Sequence, residues 1–232
     1  MNFRSKSILE AAVKEYIRSG EPVSSKELAG KYDFGIKWAA IRRELGILTK
    51  EGFLDQRHTS GGRVPTDKGY QFFVANTLDQ AATSQKILKD RYGLLADDLH
   101  GGRIKKFIDA FSQETKLLGV GQKEKDSEVY KSGLHDLISQ IDSGNKKDLQ
   151  EIVEDFDMLD KRLKEFAQNF IRSLAEPKVF IGKKSPITKS KNLSVIMDSF
   201  KVGDYKILIA AVGPKRMDYN KNLNLFKALH NK

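Results

Sequence analysis

The stretch that decides the fold is Gly52 to Val74, GFLDQRHTSGGRVPTDKGYQFFV. Two short runs flank a tip of Thr59, Ser60, Gly61 and Gly62, and a glycine pair supplies the positive φ angles of a tight hairpin. Arg57, His58 and Arg63 stand on either side of that tip. Pro65 ends the second run, and Thr66 with Asp67 reads as a helix start. The predicted unit is a two-stranded ribbon with cations near its end, followed at once by a helix. A ribbon this small cannot bury itself. It suits the wing of a winged helix-turn-helix, whose arginines reach phosphates or the minor groove. A plain surface hairpin with solvated charges is the alternative.

The residues before the ribbon favour the wing. Ile8, Leu9, Ala12, Val13, Tyr16 and Ile17 recur at helical spacing within residues 5–18 and stop at Gly20. Ser24 to Glu27 reads as a capping box, with Ser24 the cap and Glu27 answering its amide. The short helix behind it ends near Tyr32, and Asp33-Phe34-Gly35 is a turn. A third helix is predicted from about Lys37 to Glu51. Three helices and a ribbon, in this order, are those of a winged helix-turn-helix. Spacing places Trp38, Ile41, Leu45 and Leu48 inward on the third helix, against the first. Ala39, Arg43, Gly46 and Lys50 fall opposite, with Arg42 on the flank. Small residues let such a helix sit deep in a major groove, and arginine pairs with guanine edges or phosphates. A solvated amphipathic helix is again the plainer reading.

Composition bounds the rest. The chain has 232 residues, a net charge of +10 and no cysteine. No run reaches the roughly 18 to 20 apolar residues of a membrane span, and the N-terminus has no apolar stretch of a signal peptide, so the expected location is cytoplasmic with no membrane partner. Residues 1–80 carry 13 Lys and Arg against 10 Asp and Glu, residues 81–176 carry 16 against 18, and residues 177–232 carry 12 against 3. The excess charge therefore lies at the far end from the ribbon. No active site is expected: His58, His100, His135 and His230 are scattered, and no phosphate-binding glycine loop is present. Neither a cofactor nor a metal is expected. Asp97-Asp98 and Glu154-Asp155 read as solvated pairs.

Further along, Phe72, Phe73, Val74 and Leu78 ride a fourth helix, serving either the core or a partner subunit. Residues 80–92 read as a polar helical linker, and one or two helices over 94–118, interrupted at Gly101-Gly102, turn Leu95, Leu99, Phe107, Ile108 and Phe111 inward. Residues 121–132 read as a loop. Residues 147–174 form a strong amphipathic helix, fit for a dimer seam or a buried position. Strands are predicted at 179–182, 193–200 and 205–212, the last two joined at Gly203-Asp204, then a helix from Met217 with Leu223, Leu225, Phe226 and Leu229.

Two stretches carry a family resemblance. His58 to Tyr70, HTSGGRVPTDKGY, resembles the wing signature of the HrcA family of heat-inducible transcription repressors, and Val212 to Tyr219, VGPKRMDY, resembles that family's C-terminal motif. The resemblance implies an α+β chain: an N-terminal winged helix-turn-helix over 1–80, a helical linker or dimerisation region over 81–176, and the end of a shortened GAF-like regulatory domain over 177–232. It implies a homodimer that binds an inverted-repeat DNA operator of chaperone genes, is released by heat, and has a chaperonin as a partner. The DNA-binding residues it implies are Lys37, Trp38, Ala39, Ala40, Arg42, Arg43 and Lys50 on the third helix, and Arg57, His58, Thr59, Ser60, Gly62, Arg63, Thr66 and Lys68 around the ribbon. After the turn the family pattern is serine, serine, alanine, threonine, isoleucine, arginine, asparagine. Here Ala39, Ile41 and Arg42 match, whereas Lys37, Trp38, Ala40 and Arg43 depart, so the operator sequence does not carry over. Arg216, Met217, Asp218 and Tyr219 match that C-terminal motif and are expected to be structural or interface residues. A nonspecific RNA- or nucleoid-binding protein, or a scaffold whose winged helix binds no nucleic acid, remain as other readings.

Overall fold

The structure is a computed structural model that describes residues 1–56, 61–80, 85–124, 128–141, 146–170 and 176–230. The chain is α+β and divides into two compact units. The first comprises Met1–Gln80 with Arg216–Asp218, and the second comprises Ala81–Lys215 with Tyr219–Lys232.

In the first unit, α1 (Phe3–Ser19) begins where the Asn2 side chain accepts from the Ser5 amide and ends at Gly20, whose φ of 72° closes a left-handed cap. It buries Ile8, Leu9, Ala12 and Val13. Ser24 caps α2 (Ser25–Lys31) by accepting from the Glu27 amide at 3.1 Å. The expected reciprocal half of the capping box does not form. The Glu27 carboxylate instead pairs with Lys31 at 2.6 Å, one helical turn on, because an ammonium partner outbids a neutral amide for a charged acceptor. The Asp33 side chain accepts from the Gly35 amide and sets the turn into α3 (Trp38–Lys50). Ile41, Leu45 and Leu48 are fully buried on α3 as their spacing requires. Strands β1 (Leu54–Asp55) and β2 (Val64–Pro65) pair antiparallel, Leu54 opposite Pro65 and Asp55 opposite Val64. Helix α4 (Asp67–Gln80) follows; Phe72 packs edge-on to Phe53 and Asn76 donates to Glu10 on α1.

The second unit is a five-stranded antiparallel sheet in the order β4-β3-β7-β6-β5, with β3 Leu118–Lys123, β4 Val129–Ser132, β5 Lys178–Ile181, β6 Leu193–Val202 and β7 Tyr205–Pro214. Within residues 121–132, expected as a loop within a helical segment, residues 121–123 thus belong to β3 and residues 129–132 form β4. Residues 81–176 and 177–232 both contribute strands to this one sheet. The misleading signal was glycine, which weakens a strand reading. Here Gly119 and Gly121 leave room for a helix: a Cβ on Gly121 would stand 2.9 Å from Ile108, and one on Gly119 would stand 3.1 Å from Phe111.

Helices α5 (Gln85–His100), α6 (Ile104–Thr115) and α9 (Tyr219–His230) cover that face, where Phe111 and Phe200 both pack on Phe226. Helix α7 (Leu134–Ser139) and the long α8 (Lys146–Phe170) cover the other. There Ile152, Leu159, Leu163 and Phe166 meet Leu118, Val120, Val195, Met197, Leu208 and Ala210 in a single apolar cluster. Alternation along β6 and β7 separates the two faces. The amphipathic pattern of α8 is therefore spent on this sheet, although Val153 stays half exposed.

Two carboxylates read as solvated are buried. Asp98 is held by Arg103 at 2.7 Å and by Lys106. Asp155 pairs with Arg162 at 2.5 Å and accepts from the backbone amides of Lys189 and Ser190. In each adjacent pair one member faces inward, and its partners come from elsewhere in the chain. Among the described residues, no helix is long and apolar enough to cross a membrane.

Candidate nucleic-acid interface

The candidate interface lies on the side of α3 away from the core. Once Ile41, Leu45 and Leu48 are committed inward, a 3.6-residue period leaves Lys37, Ala39, Arg42, Arg43 and Lys50 exposed, with Ala40 half-buried. Lys37 occupies the N-cap position in extended conformation and makes no side-chain cap bond. The first-turn amides of α3 therefore have no side-chain cap from Lys37.

Trp38 departs from its expected place. It shares the spacing of the inward residues, yet it is 56% exposed. It begins the helix, one turn ahead of Ile41, the first buried residue of α3. Its indole lines an open cleft of about 550 Å³ with Arg42, Arg63, Lys26 and Gln56; Ser24, Ser25 and Gly61 complete the wall.

The ribbon is fixed to this helix by its returning strand. Val23 and Arg63 exchange backbone hydrogen bonds of 2.9 and 2.8 Å, a bridge between the α2 approach and the ribbon. Gly62 is obligatory there, since a Cβ would stand 2.4 Å from the Pro22 carbonyl oxygen. The Arg63 side chain then lies along α3, with its Nε donating to the Thr49 hydroxyl at 3.2 Å. Burial, and secondarily the like charge of Arg42, pushes the Arg63 guanidinium below its usual pKa. Two cations held this close, one of them partly desolvated, favour an anion between or over them.

Two other predicted residues, Thr66 and Lys68, serve the scaffold. The Thr66 hydroxyl sits 2.7 Å from the Gly52 carbonyl and accepts from the Gly69 amide, capping α4. Lys68 is turned back to the Glu51 carbonyl at 2.7 Å and lies 4.1 Å over the Phe53 ring, so it closes the C-terminal end of α3. Gly69 packs so tightly that a Cβ would meet the Phe53 carbonyl at 2.2 Å, and Tyr70 is buried. Arg57, His58, Thr59 and Ser60, expected at the ribbon tip, lie outside the described residues.

Sequence reasoning missed one group beside this surface. Glu15 on α1 is buried and takes Arg18 at 2.5 Å, Lys31 at 2.7 Å and the Tyr32 hydroxyl at 2.9 Å. Burial raises its pKa, but the hydrogen bonds from Lys31, Arg18 and Tyr32 outweigh that and bring it down to about 2. A lone glutamate on an apolar helix face was the available signal.

Comparison with known proteins adds the following. Residues 71–223 match the family model described as the HrcA protein C terminal domain. The chain is 26% identical to the heat-inducible transcription repressor HrcA of Caldanaerobacter subterraneus subsp. tengcongensis, over 94% of this chain and 92% of that protein. That alignment runs to 314 positions, more than this chain contains, so the relative carries segments with no counterpart here. A second match, 35% identical over 115 residues, is to the repressor of the same name from Clostridium perfringens, and covers 50% of this chain but only 33% of the relative. A solved structure described as a hypothetical protein shares the fold, with a TM-score of 0.75 at 15% identity over 100% of this chain and 97% of that one.

Proposed function

The chain belongs to the HrcA family, and from that premise we propose that it is a transcription repressor that grips double-stranded DNA with its first unit. The reading takes α1 to α3 with β1 and β2 as a winged helix-turn-helix: α3 enters the major groove and the ribbon is the wing. The observation that carries it is the outward face of α3, where Lys37, Arg42, Arg43 and Lys50 are exposed and Arg42 shares one cleft with the Arg63 side chain. Small Ala39 and Ala40 leave room for the helix to approach base edges. Lys37, Arg42 and Arg43 contact bases and phosphates; Arg63, with Arg57 and His58 of the tip, anchors the wing. Lys50 and Gly62 border the same surface, Thr59 and Ser60 join the wing by the family resemblance, and Thr66 and Lys68 hold the surface in shape.

In this reading the protein is a cytoplasmic homodimer. A two-fold axis would set two α3 helices about 34 Å apart on successive major grooves, and the operator would be an inverted repeat. The second unit is the GAF-like regulatory domain. Heating would loosen folding or subunit contacts and free the DNA of chaperone operons, and a chaperonin partner would restore the folded repressor.

Selection of the purified protein against random duplexes at fixed physiological salt tests the proposal. A two-fold symmetric inverted repeat is the expected result. A pool with no common sequence, bound with a steep salt slope, would overturn it. That outcome would favour a nonspecific nucleic-acid-binding protein, for which the 12 Lys and Arg against 3 Asp and Glu in residues 177–232 are the supporting observation.

A further inference from the structure

Trp38 is the single tryptophan of the chain, and the fold does not use it. Large aromatic side chains stabilise a domain chiefly by leaving water, yet this indole is 56% exposed while its spacing partners Ile41, Leu45 and Leu48 are at 0%. It opens α3, at the end of a groove-entering helix whose residues meet base edges. It also lines the cleft that holds Arg42, Arg63 and Lys26. An apolar plane ringed by cations is a poor surface for water and a good one for a nucleic acid, whose phosphates the cations take while the plane meets the bases. In the major groove of B-DNA only thymine presents an apolar group at its edge, the C5-methyl.

Resting on the DNA-binding reading above, we propose that Trp38 is a specificity-determining residue that packs its indole on a thymine methyl in each half-site. Lys26, Arg42 and Arg63 position the backbone so that the methyl reaches the ring. The contact is apolar and sequence-reading, distinct from the salt-dependent grip of the arginines. It selects for thymine by shape and desolvation, with no hydrogen bond required.

The experiment uses the full chain and the duplex recovered from random selection. Each thymine is replaced in turn by deoxyuridine, which removes only the methyl. The wild-type protein is expected to lose about four-fold in affinity at one thymine per half-site, the worth of one buried methyl. Trp38→Ala should show no loss at that position and an unchanged profile elsewhere, and Trp38→Phe should keep part of the effect. Because Trp38 is the sole indole, its fluorescence should change when the thymine duplex binds and change less with the deoxyuridine duplex. A flat deoxyuridine scan for the wild type would overturn the assignment while leaving the repressor reading intact. So would a Trp38→Ala profile identical to wild type, or an effect of that variant on oligomeric state alone. Failure of the wild type to select any sequence would overturn both.

Discussion

Arg42 and Lys68 show how differently two cations of one surface are employed. Arg42 is exposed beside Arg63 and faces the cleft. Lys68 is exposed too, but its ammonium already holds the Glu51 carbonyl and the Phe53 ring. A phosphate contact contributes about one unit to the slope of log affinity against log salt. Arg42→Ala is therefore expected to weaken DNA binding by roughly 1–3 kcal/mol and to flatten that slope by about one unit. Lys68→Ala should leave the slope unchanged and lower the unfolding midpoint in urea instead. A salt titration by fluorescence anisotropy, run on both variants, checks the pair. An equal slope change for both would mean that Lys68 leaves its carbonyl when DNA arrives. The motif from Gly62 to Tyr70 was legible as a signature, but its division of labour was not. Gly62, Thr66, Lys68, Gly69 and Tyr70 fit backbone and rings that approach from α2, α3 and the ribbon, and only the folded chain brings those together.

At the scale of elements, α1 and α2 are joined through a buried carboxylate. Glu15 binds Arg18 from its own helix and Lys31 and Tyr32 from the end of α2. Its folded pKa of about 2 lies below the usual 4.5. Below pH 4.5 the unfolded chain takes up a proton here that the folded chain refuses. The contribution is therefore complete above pH 4.5 and is lost as the pH falls toward 2. Urea unfolding at stepped pH should show a stability decline over that window which Glu15→Gln removes, at a cost of about 2 kcal/mol near neutrality. A parallel decline in the variant would assign the acid sensitivity to other carboxylates. Asp155 does similar work in the second unit, tying α8 to the amides of Lys189 and Ser190. Neither site was readable from its neighbours in sequence. A single acidic residue on an amphipathic helix looks the same whether a cation waits for it or water does.

For the whole molecule, the decisive fact is that one sheet gathers strands from residues 118 to 214. Strand β3 pairs with β7 over six residues, Leu118 opposite Val212 to Lys123 opposite Ile207, across more than a third of the chain. Such pairing puts α8, which by pattern alone suited a dimer seam, over the sheet as a core helix. The proposed dimer is then expected to use other surfaces. Leu94 at 84% exposure and Ile87 at 60%, one heptad apart on α5, are the exposed apolar pair of that helix. Sedimentation equilibrium is expected to give twice the chain mass, and Leu94→Glu with Ile87→Glu is expected to shift it to the monomer. A monomeric wild type would sink the dimer and, with it, the need for a two-fold operator.

The sequence by itself determined what local physics controls. Serine, asparagine and glycine set the helix ends, a 3.6-residue period chose the inner faces of α3 and α8, and an alternating run with Gly203-Asp204 produced the β6–β7 hairpin. These depend on a few neighbouring residues, and so does the family signature at the ribbon. Only the tertiary structure decided the position of Trp38 outside the core, the burial of Asp98, Asp155 and Glu15, the strand character of residues 118–123 and 129–132 and the intramolecular role of Lys68. Each of those depends on what a distant segment brings: a helix close enough to require glycine, a cation to neutralise a carboxylate, or the absence of a neighbour over an indole. Periodicity records which way a side chain points, and the rest of the fold decides what it meets there.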